Sequence, residues 1–295
     1  MMNSKSAGSS TKIRLIEPYP YRFTVRCGSR DGGKTVGSVL HERMPGRPME
    51  RWQNLAEAGR ICLNTFPVRP DQSVTRGDEI TIDVPRVVEP AVPDDVRIVD
   101  ESADYLAAYK PAPMPVHRGG RYHHNSLQAI LEARTGRRLK IIHRLDVVTT
   151  GLVLFGKTKG FTAYAQRAFA QEQAEKHYEA MVAGEPGWEQ TECSLAVRRN
   201  KGIRFTADQS GEGKPARTVF QVLEKNGDTA KVRAQPVTGR THQIRVHLQA
   251  LGHPVVDDPL YGPHPPESGT PGSLNRPISL CHIRLKLDDR LSWEI

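Results

Sequence analysis

The stretch from Ile141 to Thr158, IIHRLDVVTTGLVLFGKT, constrains the fold of this chain more than any other. The apolar run from Leu152 to Phe155 predicts a buried strand. The polar residues from His143 to Asp146 lie at the entrance of that strand, where a turn exposes them. A carboxylate held at the end of a rigid strand is well placed for chemistry, so Asp146 is the candidate centre. An arginine two residues before an aspartate is also common in surface ion pairs, and this stretch alone leaves that alternative open.

The overall charge predicts a polyanionic partner. The chain has 42 Lys plus Arg against 33 Asp plus Glu, a net charge of +9 and a pI near 9.5. In an enzyme-sized chain of 295 residues this balance favours nucleic acid as the partner. No apolar run approaches the roughly 18 residues of a membrane span, and the first residues lack the apolar segment of a signal peptide. We therefore expect a cytoplasmic protein, and a monomer is the expected state.

The first third of the chain predicts a small αβ unit. Residues 34–43 and 49–59 have apolar residues at helical spacing, and short strands follow up to residue 84. This order resembles the S4 RNA-binding module, although a plain αβ appendage is an alternative. The resemblance implies that Arg47, Arg51 and Arg60, on or beside the second helix, meet RNA phosphates. The predicted organisation is a disordered tail at 1–18, the S4-like domain at 19–86, a linker at 87–95 and a catalytic domain at 96–295.

Basic residues precede the central stretch in the second part of the chain. Asn125 or Ser126 is a candidate cap for a helix that ends at Thr135. A basic group that includes Arg138 follows directly and suits a phosphate backbone, although a solvated turn explains it equally well. After the central stretch, residues 159–173 predict a helix whose aromatic side chains, among them Phe169, are interpreted as packing.

Another polar stretch, TGRTHQIRVHL, begins at Thr238. Its apolar spacing predicts a helix that starts at Thr241 and stops at Gly252. Arg245 lies one turn into this helix, at the edge of its buried face. An unpaired buried guanidinium is costly, so Arg245 needs an anionic partner, and Asp146 is a suitable one.

The chain resembles the RluA-type pseudouridine synthases over roughly residues 96–295. HRLDVVTTG at 143–151 is similar to the family motif H-R-L-D-x-x-T-S-G, with Thr150 in place of the usual Ser. EKHYEA at 175–180 resembles the K-x-Y-x-A motif, and TGRTHQIRVHL matches a third motif. The resemblance implies an α+β fold with a mixed, mostly antiparallel sheet, flanking helices and an RNA cleft. It also implies isomerisation of a uridine in RNA to pseudouridine without metal or organic cofactor.

The same resemblance implies roles for individual residues. Asp146 is the nucleophile that attacks the flipped-out uridine at either C1′ or C6. Arg245 pairs with that carboxylate and keeps it charged. Arg144 fills the gap in the base stack, while His143 and Arg240, in the first and third motifs, contact RNA. Tyr178 offers an aromatic face and a hydroxyl for the C5 proton, although a core strand tyrosine is its alternative.

Two other functions are compatible with parts of the sequence. A non-catalytic RNA-binding or ribosome-assembly factor would keep the fold without turnover. A metal-dependent hydrolase is suggested by the eleven histidines, but they lack the spacing of H-E-x-x-H or of a Cys/His finger. The four separated cysteines indicate free thiols rather than a metal or redox site. RNA, as rRNA or tRNA, is therefore the expected partner, with no metal and no membrane.

Overall fold

The computed structural model describes residues 12–44, 46–263 and 276–295. Its helices are α1 (Val36–Arg43), α2 (Met49–Glu57), α3 (Leu127–Thr135), α4 (Lys159–Ala170) and α5 (Gln243–Ala250). Its first nine strands are β1 (Ile13–Arg14), β2 (Tyr19–Arg26), β3 (Ile61–Leu63), β4 (Phe66–Pro67), β5 (Glu79–Val87), β6 (Val92–Pro93), β7 (Arg97–Glu101), β8 (Tyr105–Lys110) and β9 (Lys140–Ile141). The others are β10 (Thr150–Gly156), β11 (Glu175–Ala183), β12 (Gln190–Cys193), β13 (Ala196–Arg199), β14 (Phe205–Asp208), β15 (Thr218–Lys225), β16 (Thr229–Pro236), β17 (Leu280–Lys286) and β18 (Ser292–Glu294).

The contacts between residues divide the chain into two units. The smaller unit is Ile16–Glu89, and the larger contains Pro90–Ile295 and the segment that ends at Leu15. Most of the expected disordered tail falls on residues 1–11, which lie outside the described residues. The boundaries of the expected segments differ from those in the structure. The β1 strand lies in the expected tail and pairs with β6, which lies in the predicted linker. The domain organisation and the S4 likeness stay predictions.

The smaller unit contains α1, α2 and an antiparallel sheet of four strands in the order β2-β5-β3-β4. The Thr35 hydroxyl caps α1 by accepting a hydrogen bond from the backbone of Ser38. Trp52 on α2 and Ile80 and Ile82 on β5 are buried in one core. The alternating apolar residues of β5 thus form the face on which both helices pack.

The larger unit is built on a ten-stranded sheet with the central order β16-β11-β17-β10-β8. The β10 and β17 strands are parallel, and every other strand pairing described is antiparallel. The α+β fold class, with its mixed and mostly antiparallel sheet, is therefore confirmed. The predicted buried strand is β10, whose residues face two separate cores: Val153 and Phe155 face one, and Leu152 and Leu154 face the other. Burial on both faces explains why the run is continuously apolar.

The helices of the larger unit begin and end close to the predicted positions. The Ser126 hydroxyl caps α3, and Gly136 ends it in the left-handed conformation, with φ of 66°. The α5 helix starts at Gln243, so His242 rather than Thr241 precedes it. On α5, Ile244 and Leu248 pack into the core below the sheet.

Candidate active site

Asp146 lies in a tight turn directly before β10. The backbone N–H of Thr149 donates to the Asp146 carbonyl at 3.2 Å, which closes the turn. The next residue, Val147, accepts a hydrogen bond from the backbone of Met114 at 2.9 Å. The Asp146 side chain is 24% exposed, so its carboxylate is accessible although its backbone is fixed.

Gly151 explains why this turn reaches the centre of the sheet. It pairs with His282 of β17, and its φ is +117°. A Cβ atom at this position would lie 2.3 Å from the carbonyl oxygen of His282. Only glycine combines this backbone conformation with such a close approach of the two strands. Gly151 therefore allows β10 to lie close to β17, and this fixes the position of the turn that carries Asp146.

Arg245 connects Asp146 to a second carboxylate. Its Nη1 donates to Asp146 Oδ2 at 2.9 Å, so the predicted ion pair is present. Its Nε and Nη2 donate to the two oxygens of Asp258 at 2.6 and 2.8 Å. Burial lowers the pKa of the Arg245 guanidinium, but the hydrogen bonds and charge of Asp258, with Asp146, outweigh burial and raise it above its ordinary value. Arg245 is therefore a permanent cation between two anions.

Asp258 joins the candidate site through Arg245, and sequence reasoning missed it. Its side chain is fully buried, and Oδ1 also accepts hydrogen bonds from the backbone of Leu260 and Tyr261. It lies in the turn that follows α5, in the segment VVDDPLY. The available signal was this acidic pair shortly after a helix that carries a buried arginine. Nothing in the segment distinguishes Asp258 from the exposed Asp257.

Tyr178 lies on β11 and belongs to both the core and the site. Its ring stacks on the His282 ring, with centroids 4.4 Å apart and an interplanar angle of 18°. Burial first, and then the negative charge of Asp146, raise the pKa of the Tyr178 hydroxyl. The phenol is therefore neutral at physiological pH and can donate a proton in a hydrogen bond.

Three side chains form the wall of the site beside Tyr178. His143 Nε2 accepts the backbone N–H of Leu154 at 3.1 Å, and the His143 ring stacks on Phe169 at 4.8 Å. Lys176 Nζ donates to the carbonyls of residues 237 and 238, both at 3.3 Å. Burial lowers the pKa of Lys176 to about 8. Phe169 packs against the core that contains Leu152 and Leu154, as predicted, and it also lines the site.

Two open cavities meet at Asp146. The first, of about 280 Å³, contains Tyr178, Lys176 and Phe169 in its wall. The second, of about 490 Å³, lies beside Tyr122 and Phe205. Both cavities share the following residues in their walls: Arg144, Leu145, Asp146, His242 and Arg245. A ligand chain that runs from one cavity to the other would therefore pass Asp146.

The structure brings only some of the predicted RNA contacts to these cavities. Arg144 is exposed and lines both cavities, and Arg240 lines the first while its Nε donates to the Pro215 carbonyl at 2.8 Å. Arg138 is exposed just before β9 and lines neither cavity. The remaining three belong to the smaller unit: Arg47, Arg51 and Arg60.

The described residues show neither a metal-binding cluster nor a membrane-spanning helix. In the ranges that the structure covers, three or more His, Cys, Asp or Glu side chains nowhere come together as a group that could hold a metal ion. None of the helices found in those ranges has the length and apolar character needed to cross a membrane.

Comparison with known proteins gives the family. Residues 104–250 match the model of the RNA pseudouridylate synthase family. Pseudouridylate synthase RPUSD2 of Homo sapiens is 35% identical over 84% of this chain and 46% of its own, so the chain spans about half the length of that relative. Ribosomal large subunit pseudouridine synthase C of Vibrio cholerae is 30% identical over 78% of this chain and 77% of its own.

A solved structure supports the same assignment. Human RNA Pseudouridylate Synthase Domain Containing 1 superposes with a TM-score of 0.57 at 28% identity, over 70% of this chain and 85% of that chain. The chain therefore belongs to the RNA pseudouridylate synthase family, which its resemblance to the RluA-type enzymes predicted.

Proposed function

We propose that this protein isomerises specific uridines in structured RNA to pseudouridine. The observation that carries the proposal is the accessible Asp146 carboxylate, ion-paired to the buried Arg245 in a cavity that also presents Tyr178. A charged carboxylate can form a transient covalent bond to the nucleotide and divide one difficult step into two easier ones. Attack at C1′ of the ribose and attack at C6 of the base are both compatible with this site.

Arg144 has a separate task in this proposal. A uridine in folded RNA must leave its stack to reach Asp146, and that extrusion costs a few kcal/mol. Arg144 is exposed and lines both cavities, so its planar guanidinium can occupy the gap that the extruded base leaves behind. Arg144 lies two residues before Asp146 in the chain, which supports a role for both at the same nucleotide.

Tyr178 would act on the base after extrusion. Its ring lines the first cavity and offers an aromatic surface for the uracil. Tyr178 lines the same cavity as Asp146, and its neutral hydroxyl is a candidate to relay the C5 proton in the last step: the phenol oxygen takes that proton while its own O–H proton passes to water. Arg245 would keep Asp146 ionised and oriented, so that the carboxylate is ready when the base arrives.

The substrate we propose is rRNA or tRNA. Two relatives are a ribosomal large subunit pseudouridine synthase of Vibrio cholerae and a mitochondrial tRNA pseudouridine(32) synthase of Saccharomyces cerevisiae. The net charge of +9 favours a polyanion. We propose further RNA contacts from the following residues: His143, Arg240 and Arg138 in the larger unit and Arg47, Arg51 and Arg60 in the S4-like unit. The proposed enzyme is a cytoplasmic monomer that needs no metal.

Tritium release tests this proposal. Unmodified rRNA and tRNA labelled with tritium at uridine C5 are incubated with the wild type, Asp146→Asn and the control Asp257→Asn. Asp257 is exposed and has a φ of 61°, which asparagine tolerates, so the control makes the same chemical change outside the cavities. We expect release with the wild type and the control only. Equal release by Asp146→Asn, or salt-dependent RNA binding with no release by any protein, would contradict the proposal.

A further inference from the structure

His242 occupies an unusual position between the two cavities. It precedes α5 in the left-handed backbone conformation, with φ of 57° and ψ of 16°. Its side chain makes no capping hydrogen bond to the helix. Non-glycine residues seldom adopt this conformation, and such strain persists where the surroundings impose it. The ring is instead directed between Asp146 and Tyr261.

The hydrogen bonds of Tyr261 select one tautomer of the His242 ring. The Tyr261 oxygen accepts the backbone N–H of Phe205 at 2.8 Å and lies 2.7 Å from His242 Nδ1. If the Tyr261 hydroxyl donates to His242 Nδ1, the Phe205 N–H and the Tyr261 O–H both have an acceptor. In neutral histidine the other nitrogen, Nε2, then carries the proton.

The opposite side of the ring favours the same tautomer. His242 Nε2 lies 3.8 Å from Asp146 Oδ2. A protonated Nε2 is attracted to this carboxylate oxygen, whereas a bare Nε2 lone pair would be repelled by it. Burial lowers the pKa of His242, so the ring is a neutral donor at physiological pH rather than a second cation. Distances of this kind between catalytic groups often shorten when substrate binds.

The two oxygens of Asp146 therefore have different surroundings. Oδ2 accepts a hydrogen bond from Arg245 Nη1 at 2.9 Å and faces His242 Nε2. Oδ1 receives no hydrogen bond from the residues that the structure describes. An oxygen without competing donors is the better nucleophile, because its lone pairs are not engaged.

We infer that His242 is a positioning residue: in its Nε2–H tautomer, fixed by Tyr261, it holds Asp146 Oδ2 together with Arg245 and leaves Oδ1 as the atom that attacks the nucleotide. The inference rests on the proposed function for the identity of the attacked molecule. The assignment of the His242 tautomer is independent of the proposed function. The strained backbone of His242 is then the local cost of directing the ring at the carboxylate.

Nitrogen NMR of the free protein tests the tautomer. With ¹⁵N-labelled histidine, the His242 signals are identified as those that disappear in His242→Gln. We expect an unprotonated Nδ1, a protonated Nε2 and an Nε2 signal that shifts in Asp146→Asn. We expect Tyr261→Phe to mix the two tautomers. A protonated Nδ1 in the wild type would overturn the inference, whether or not the protein turns over RNA.

Two amide variants test the positioning role. Glutamine is long enough to bring an N–H near the site of Nε2, whereas asparagine is too short but suits the left-handed backbone better. We expect His242→Gln to keep most of kcat. We expect His242→Asn to lose roughly 10- to 100-fold in kcat with little change in KM, as for one hydrogen bond to a charged group, which the 3.8 Å contact of Nε2 with Asp146 becomes when it shortens in the substrate complex. His253→Gln, outside both cavities, is the control for the substitution itself.

A structural role alone predicts the reverse order, because asparagine would relieve the backbone strain. The inference is therefore overturned if His242→Asn is as active as His242→Gln, or if both match the wild type. Absence of turnover in the wild type would refute the proposed function instead, and the NMR result would then decide the inference alone. Thermal unfolding of each variant confirms that the compared proteins are folded.

Discussion

Removal of Asp258 should destabilise the larger unit far more than removal of Asp146, although both carboxylates bind Arg245. The Asp258 side chain is 0% exposed and accepts two hydrogen bonds from Arg245, at 2.6 and 2.8 Å. The Asp146 side chain is 24% exposed and accepts only one, at 2.9 Å. A buried cation that loses its main partner costs roughly 3–5 kcal/mol. We therefore expect a loss of that size in the free energy of unfolding for Asp258→Ala.

Asp146→Asn should change the free energy of unfolding by less than about 1 kcal/mol, because Arg245 keeps Asp258 and water reaches the amide. The same substitution should abolish turnover. Asp258→Ala should also reduce turnover, since Arg245 loses the anchor that orients it toward Asp146. The pair thus separates a residue that the fold requires from one that the chemistry requires.

Hydrogen exchange during urea unfolding is the suitable assay, because the two units can unfold separately. Tryptophan fluorescence would mix them: Trp52 belongs to the smaller unit and Trp293 to the larger. Exchange of amides in α5 and β11 reports the larger unit alone. The surface pair of Arg217 and Glu192, at 2.9 Å, provides the control Glu192→Ala, for which we expect stability close to that of the wild type. An Asp258→Ala variant within about 1 kcal/mol of the wild type would refute the reasoning.

Two further predictions concern the backbone at Gly151 and the buried side chain of Lys110. Gly151→Ala should lower the free energy of unfolding by roughly 3 kcal/mol or more, because the added Cβ would meet the His282 backbone. Gly160→Ala, which adds a Cβ into open space on α4, should raise it by about 0.5–1 kcal/mol, and thermal unfolding measures both changes. Burial lowers the pKa of Lys110 from 10.5 to about 7, so between those values the unfolded chain binds one more proton than the native state. The free energy of unfolding of the wild type, measured with urea, should therefore rise relative to that of Lys110→Met between about pH 7 and about pH 9. A difference between the two proteins that does not change with pH would contradict this.

Local patterns were enough to predict the elements that carry the site. The apolar run at 152–155 became β10, and the 3.6-residue spacing after Thr241 became α5. The ion pair of Arg245 with Asp146 followed from a physical requirement, because a guanidinium on a buried helix face must find an anion. Each of these inferences depends on a few neighbouring residues or on one strong energetic rule.

The missed features depend on contacts between distant parts of the chain. Lys110 is the last residue of β8, yet its amino group is fully buried and donates to the carbonyls of Met114 and Val147. Its partners are backbone oxygens, which have no sequence signature. The choice of Asp258 over Asp257 likewise depends on the path of the turn after α5. Spacing rules describe one element at a time and do not contain this information.

The order of three strands explains how separate motifs form one cavity. Tyr178 on β11 and Gly151 on β10 are both paired with His282 of β17, so the three residues form one row across the sheet. Neighbouring strands lie about 4.8 Å apart, which separates the Tyr178 and Gly151 backbones by about 10 Å. Leu280, on the strand between them, lines the floor of the first cavity. Because β17 lies between β10 and β11, the gap between the aromatic ring and the turn of Asp146 depends on the pairing of β17 with both strands.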